Sequence, residues 1–501
     1  MTTRGTVDRV ILIFIDDVRA LHLFGLINDG KLPNIAKLAR EGISCKNCVT
    51  SYPSITFPSY SNLITGSYSG YYPKEGSGIP QYHYITRNDP PSEGSRFPKI
   101  VNCGAGSLYK LNKQLGSNCK TIFEQAGDEN HLSSCNIVSR GSKLISPSPY
   151  TTEVILNNVA KAFNKPSEYD FSEPPIVTVA YVPYTDHLMH VKGFDHKDYI
   201  KELLKCDVGV GNIIKTLKET GYYDSTAIGI LSDHGNYKAK QLHNLEPYFN
   251  EIGLMQYNPK KGTGDFDANF GSVGIFNFRG IDWHHHPTIE EMKKYKLSVV
   301  GKKDLNLFDM LWKIPGVKYM YYRDDDNTPD KGTIHLKFRD KKDKIHEAMI
   351  EFEGHGKNQK TSYKPDDLDI YGYEHDEQSA SLLDGKPHDI NAWLSGTNHV
   401  DFPIIIDQIP RSFKNPRNGD IIVSTLGEYS FGFEHGETKP SSPYSHDICL
   451  RKSMIVPFII GGTSDIPSKE LSYCKTTDMV PSLLSLLGKK PHDSVVGTSV
   501  I

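Results

Sequence analysis

Val10-Ile11-Leu12-Ile13-Phe14-Ile15-Asp16-Asp17 is the stretch that decides the architecture. An unbroken apolar run of this length, rich in β-branched side chains, reads as a strand buried on both faces, as in a parallel sheet covered by helices. The run stops at a carboxylate. Three further runs behave alike: Ile176–Val182 leads to Asp186, Ala227–Leu231 to Asp233-His234, and Ile421–Thr425 to His435-Gly436. In open α/β sheets, ligands collect beyond the carboxyl ends of the strands. The pattern therefore predicts that these Asp and His residues converge at one edge of a central sheet and supply the ligands of a two-metal hydrolytic site.

Around these strands the first half of the chain alternates strand and helix. Helical spacing is expected over Pro33–Glu41, Ser59–Thr65, Lys120–Ala126 and Thr151–Phe163. It is clearest over Asp198–Thr220, where Leu203, Leu204, Val208, Val210, Ile213, Ile214 and Leu217 form an inward stripe ended by Gly221. Strand, helix, strand in this order argues for right-handed crossovers. Residues 67–117, dense in Gly, Pro, Ser and Tyr, read as an irregular surface excursion. Between 236 and 420 short β-like pieces appear (Ser272–Phe278, Tyr319–Arg323, Gly332–Phe338), which suggests an α+β insertion. The expected organisation is a catalytic core of 1–235 and 420–501, with 236–419 as a cap carrying some core elements.

Composition narrows the function classes. The 501 residues carry a formal charge of −3, with no basic block that would mark a nucleic-acid groove. No stretch is apolar enough to span a membrane, and the N-terminus runs straight into the first strand without a signal-peptide pattern. Eight scattered cysteines in a chain that needs no stapling point to a reduced, cytoplasmic protein. Cys45-Lys46-Asn47-Cys48 lacks a second metal-binding pair and reads as two buried residues beside a strand.

Several side chains invite chemistry. Asp16 ends a run that is otherwise wholly buried, where a carboxylate needs an ion pair (Arg19 is nearby) or a metal. Asp186 and His190, four apart, share a face if the segment is helical. Asp233-His234 follows a strand directly, and Gly235 allows the turn that aims both at one site. Thr56, flanked by Pro53 and Pro58, sits at a predicted helix N-terminus, where it is either a cap or a nucleophile. His284-His285-His286 and Asp324-Asp325-Asp326 read as a solvated loop and a surface turn.

Together these segments resemble the alkaline phosphatase superfamily, most closely its type I phosphodiesterase / nucleotide pyrophosphatase branch. The resemblance rests on Asp16 with Arg19, Thr56-Phe57-Pro58 followed by Leu63–Tyr68, Asp186-x-x-x-His190, Ser232-Asp233-His234-Gly235, His435-Gly436 leading to Val456-Pro457, and the closing Asp478-x-x-Pro481-Ser482-Leu483-Leu484. It implies an α/β, alkaline-phosphatase-like three-layer sandwich with a mostly parallel sheet and a cap. It also implies two Zn²⁺ ions, one held by Asp186, His190 and His435, the other by Asp16, Asp233, His234 and the Thr56 oxygen. The implied reaction is attack of Thr56 on phosphorus, a phosphothreonine intermediate, and release by water. His446 is the competing choice for the last ligand, nearer the Val456-Pro457 strand, whereas His435 requires a short insertion at Glu437–Ser441. The family's phosphoryl-binding Asn has no counterpart; Gln81 or Tyr82 stands near its place.

The leading expectation is a zinc-dependent phosphodiesterase or nucleotide pyrophosphatase acting on a small phosphorylated substrate such as a nucleotide. A phosphonate hydrolase or phosphomonoesterase on the same scaffold is the runner-up. A catalytically silent binding protein is the rival from another class. Oligomeric state is left open.

Overall fold

The computed structural model describes residues 5–87, 89, 96–104, 108–127, 129–146, 148–299, 301, 303–433 and 442–501. Its larger sheet runs in the order Lys469–Leu471, Ile43–Val49, Ile455–Gly462, Thr226–Leu231, Arg9–Ile15, Val177–Val182, His131–Ser134, Lys143–Ile145, with Cys474–Lys475 also paired to Ile43–Val49. Ile455–Gly462 runs antiparallel to both of its neighbours and the other pairings are parallel. Arg9–Ile15 lies at the centre, and Val10 to Leu12 are completely buried. Its register aligns Ile15 with Val182 and Phe14 with Leu231, so Asp16, Pro183 and Asp233 emerge at the same edge.

Helices form two groups, which makes the sandwich three-layered. Pro33–Glu41, Thr152–Asn164 and Lys197–Glu219 pack on one another, while Thr56–Thr65, Ile122–Ala126 and Met479–Leu486 form the second group. The long Lys197–Glu219 helix departs from its expected stripe in one respect. Val208 is 60% exposed, and Cys206 and Asp207 take the inward places between Leu203 and Val210. A 3.6-residue period carries 203, 206, 207 and 210 along one face and leaves 208 outside. Asp207 can afford burial because its carboxylate accepts the backbone N–H groups of Asn34 (3.0 Å) and Ile35 (2.8 Å) and the Asn34 amide (2.8 Å). It thus caps the Pro33–Glu41 helix, whose own N-cap residue, Leu32, has no acceptor side chain.

Strands from 266 to 424 build a second, wholly antiparallel sheet. Its order is Phe266–Phe270, Val273–Phe278, Ile421–Ser424, Tyr319–Arg323, Lys331–Arg339, Ile345–Glu353, Lys360–Pro365, His388–Asp389. The expectation that Ile421–Thr425 belongs with the parallel strands is corrected here, since it pairs with Val273–Phe278 and Tyr319–Arg323. An apolar run records burial on two faces and not the sheet that provides them. Tyr319, Tyr321 and Ile422 point into the main core, while Met320, Tyr322, Ile421 and Val423 point into a second aromatic core with Phe249, Phe266 and Phe276. One face of the second sheet therefore shares the central core.

Candidate metal centre and nucleophile

Parallel register explains why distant side chains meet. Asp16 follows the central strand, Asp233 and His234 follow its neighbour on one side, and the Tyr184–Lys192 helix starts just beyond its neighbour on the other. Ligand-capable atoms of Asp16, Asp233 and His234 lie within 4.8 Å of one another, as do those of Asp186, His190 and His446. The two trios adjoin, for the His234 and His446 rings stack with centroids 3.8 Å apart. Thr56 is the first residue of the Thr56–Thr65 helix, with Ile55 in the cap position, and its Oγ1 lies 3.0 Å from His234 Nε2. Its hydroxyl is therefore turned to the histidine and not used as the cap.

Each histidine is held from behind. His190 Nδ1 lies 2.9 Å from the Tyr444 carbonyl, His446 Nδ1 is 3.1 Å from that of Ser54, and His234 Nδ1 is 3.2 Å from that of Gly235. A carbonyl on Nδ1 fixes that nitrogen as the N–H donor and leaves Nε2 as a lone pair pointing inward, the arrangement that orients metal-binding imidazoles. His190 Nε2 and His446 Nε2 both face Asp186 Oδ1, at 3.2 and 3.7 Å. The carboxylates are held similarly. Tyr181 donates its hydroxyl to Asp16 Oδ2 in a short contact, and the backbone N–H groups of Asp17 (3.3 Å) and His234 (3.0 Å) reach Asp233 Oδ1. That leaves Asp16 Oδ1, Asp233 Oδ2 and Asp186 Oδ1 buried without a hydrogen-bond partner.

Orphaned carboxylate oxygens in a buried cluster call for a cation. Electrostatics agree. Burial, then Asp233 and Asp186, pushes the Asp16 carboxyl well above its ordinary range. Burial alone would lower the His234 imidazole, yet Asp233, Asp17 and Asp186 carry it up to about 9. His190 is likewise disfavoured by burial but raised to about 9 by Asp186. Negative charge thus exceeds what the protein itself neutralises. The donor set, carboxylate oxygens with imidazole nitrogens, suits zinc and similar divalent ions.

The alternative of a plain Asp16–Arg19 ion pair is not what forms. Arg19 Nε donates to the Asn236 carbonyl (2.8 Å), and its guanidinium lies over the Phe194 ring at 4.5 Å. Asp17, at φ 56°, is strained backbone beside the site and accepts the Asn236 amide at 2.8 Å. Gly235 proves necessary for space and not for an unusual φ: a Cβ there would lie 2.5 Å from the Lys452 carbonyl. His435 falls outside the described residues. Phe57, next to Thr56, faces the Tyr82 ring with centroids 6.0 Å apart, and Gln81 is fully buried. Of the remaining sequence candidates, His284 and His285 are exposed as expected while His286 is partly buried, 2.5 Å from Asp420, and Asp324–Asp326 forms a surface turn in which Asp324 pairs with His335. Cys45 and Cys48 are buried in the strand Ile43–Val49, and no disulfide joins the described cysteines. No described helix is long and apolar enough to cross a membrane.

Sequence reasoning missed Tyr181, Ser54 and Tyr444. Tyr181 alone left a signal, as a phenol in a buried strand, next to last before the site.

Residues 10–295 match the family described as type I phosphodiesterase / nucleotide pyrophosphatase. Among curated proteins, the chain is 24% identical over 236 residues to an uncharacterized pyrophosphatase/phosphodiesterase of Schizosaccharomyces pombe, covering 45% of this chain and 44% of that one. It is 25% identical over 232 residues to the bis(5'-adenosyl)-triphosphatase of Mus musculus, covering 45% and 47%. With human ectonucleotide pyrophosphatase/phosphodiesterase family member 1 it shares 28% over 286 residues, covering 54% and 28%. The matched stretch thus spans less than half the length of these relatives. Murine ectonucleotide pyrophosphatase / phosphodiesterase 5 superposes over 96% of both chains with a TM-score of 0.55 at 12% identity, a likeness of fold.

Proposed function

The chain belongs to the type I phosphodiesterase / nucleotide pyrophosphatase family, and on that premise we propose that it is a metal-dependent hydrolase of phosphoric ester or phosphoanhydride bonds with Thr56 as nucleophile. The observation that carries the reading is the 3.0 Å approach of Thr56 Oγ1 to His234 Nε2 beside the unpartnered oxygens of Asp16 and Asp233.

Two zinc ions fit the residues present, one with Asp16, Asp233, His234 and the Thr56 oxygen, the other with Asp186, His190 and His446. His446 takes the third place because its Nε2 faces Asp186 and its Nδ1 is anchored. When bound, such a pair supplies positive charge that acidifies a hydroxyl and offsets charge on the phosphoryl oxygens. The chain's own residues do the rest. The helix beginning at Thr56 presents Oγ1 with its positive dipole end towards an incoming phosphoryl group. Attack of Oγ1 on phosphorus forms one P–O bond and breaks that to the leaving group, giving a phosphothreonine that water cleaves to restore Thr56. Phe57, next to Thr56 in the chain, meets the Tyr82 ring, and aromatic surface so near the nucleophile supports a planar group such as a nucleobase on the substrate.

The test is a panel of p-nitrophenyl phosphate, bis-p-nitrophenyl phosphate, the p-nitrophenyl ester of thymidine 5'-monophosphate and phosphonoacetate, each with added Zn²⁺. The nucleotide ester should be turned over fastest. Thr56→Ala should lose at least ~1,000-fold in kcat, as expected of a removed nucleophile, while keeping its metal. Full activity in that variant, or no turnover of any ester by the wild type, overturns the reading.

A further inference from the structure

Behind the turn that carries Asp233 and His234 lies a separate concavity of about 470 Å³, within the roughly 300–1,000 Å³ span of small-molecule sites. Phe24 and Ile455, both buried, form its apolar floor, and Arg19, Lys46, Arg451 and Lys452 surround it. No carboxylate contributes to its lining. The hydrogen bonds that the two arginines donate go to neutral groups, although Asp17 and Asp195 act on Arg19, and Asp401 on Arg451, from farther off. Arg19 donates to the Asn236 carbonyl, and Arg451 to the Asn398 carbonyl and the Asn47 side chain. Lys46 meets Glu470 at 2.9 Å, but both ends are more than half exposed, where such a pair contributes little. Lys452 has no carboxylate within 4 Å among the described residues, and burial, then Arg19 and Lys240, lowers its ammonium.

Four cations around one hollow in a chain of net charge −3 create a focused positive potential, and the floor beneath them is hydrocarbon. A nucleic-acid surface would spread its charges along a stripe and need no such floor. The hollow is also distinct from the Thr56 site. The turn between them is fixed by the Gly235 N–H on the Ser453 carbonyl (2.8 Å) and the Asn236 N–H on the Lys452 carbonyl (3.1 Å), and no residue lining the hollow is one of the candidate metal ligands.

We propose that this hollow binds an organic anion, its carboxylate or tetrahedral oxyanion met by Arg19, Arg451 and Lys452 and its apolar body lying on Phe24 and Ile455. Isothermal titration of the full chain with 2-naphthalenesulfonate, 2-naphthoate, uncharged 2-naphthol and inorganic sulfate tests it. One of the two naphthyl anions should bind at a single site at least tenfold more tightly than naphthol or sulfate, and which of them binds identifies the headgroup. The double variant Lys46→Glu/Lys452→Glu should weaken that binding at least tenfold, whereas Lys215→Glu, on a remote exposed helix face, should not. Thermal unfolding of each variant establishes that it remains folded, and both lysines of the double variant are exposed. Equal binding of anion and naphthol, or unchanged binding by the double variant, overturns the proposal.

Discussion

Tyr181→Phe isolates one contact of the proposed metal centre. The ring of Tyr181 packs against Tyr60 with centroids 5.2 Å apart, and phenylalanine preserves that packing. What disappears is the hydroxyl that donates to Asp16 Oδ2. Asp16 is 2% exposed and its other oxygen already lacks a protein partner, so the carboxylate would face a cation with nothing fixing its far side. Hydrogen bonds to charged groups contribute about 1.5–3 kcal/mol, and loss of an outer partner of a metal ligand typically costs ~10–100-fold in affinity. The two scales agree at about 2 kcal/mol, or roughly 30-fold. Competition against a chelator of known zinc affinity, read by elemental analysis of the protein, measures this directly. Urea unfolding of the metal-free protein supplies the control. There burial already pushes the Asp16 carboxyl up towards its neutral form, so the hydroxyl should matter less, by about 1 kcal/mol. Metal affinity unchanged within threefold, or a loss confined to the metal-free protein, would refute the argument.

His446→Ala should release one of two bound ions and His435→Ala should keep both, as counted by elemental analysis; the reverse pattern would move the third ligand to His435. Asp207→Ala removes the carboxylate that caps the Pro33–Glu41 helix and should cost about 2 kcal/mol in urea unfolding, with zinc content unchanged. Asp420, buried and disfavoured as an anion by that burial, is nonetheless drawn down to about 2 by Arg87 and His286. A carboxyl that titrates lower in the folded than in the unfolded chain gives its full stabilisation above about pH 4 and loses it as pH falls towards 2. The free energy of unfolding should therefore drop through that window by about 2 kcal/mol, and Asp420→Asn should flatten the dependence.

Much of the site was legible because strand ends were legible. Asp16, Asp186 and Asp233 each follow an apolar run, and parallel pairing brings such ends together without further information. His190 and Thr56 were singled out because helical spacing and a stiff proline-flanked entry are local signals. Ile421–Thr425 was misplaced because a four-residue apolar strand buried in an antiparallel sheet has the same composition as one in a parallel sheet. The long pairing of Lys331–Arg339 with Ile345–Glu353 was only partly read, since on the second strand His346 takes an inward place while Ile345 and Met349 take outward ones, which blurs the apolar alternation. Carbonyl anchors from Ser54 and Tyr444 leave no trace in composition, because any residue offers the same group. The carbonyl behind His446 is of the same kind, and His435 lies outside the described residues.

Water reaches the two trios unequally. Asp16, Asp233 and His234 are sealed at 2%, 1% and 0% exposure, whereas the side chains of Asp186, His190 and His446 retain 23%, 36% and 13%. On the proposed two-ion reading, the ion at the sealed trio should exchange more slowly than the one at the more exposed trio. Chelation should consequently proceed in two kinetic phases, leaving a half-emptied species of practical use. Back-filling that species with Co²⁺ would place a coloured, paramagnetic reporter at the outer position alone.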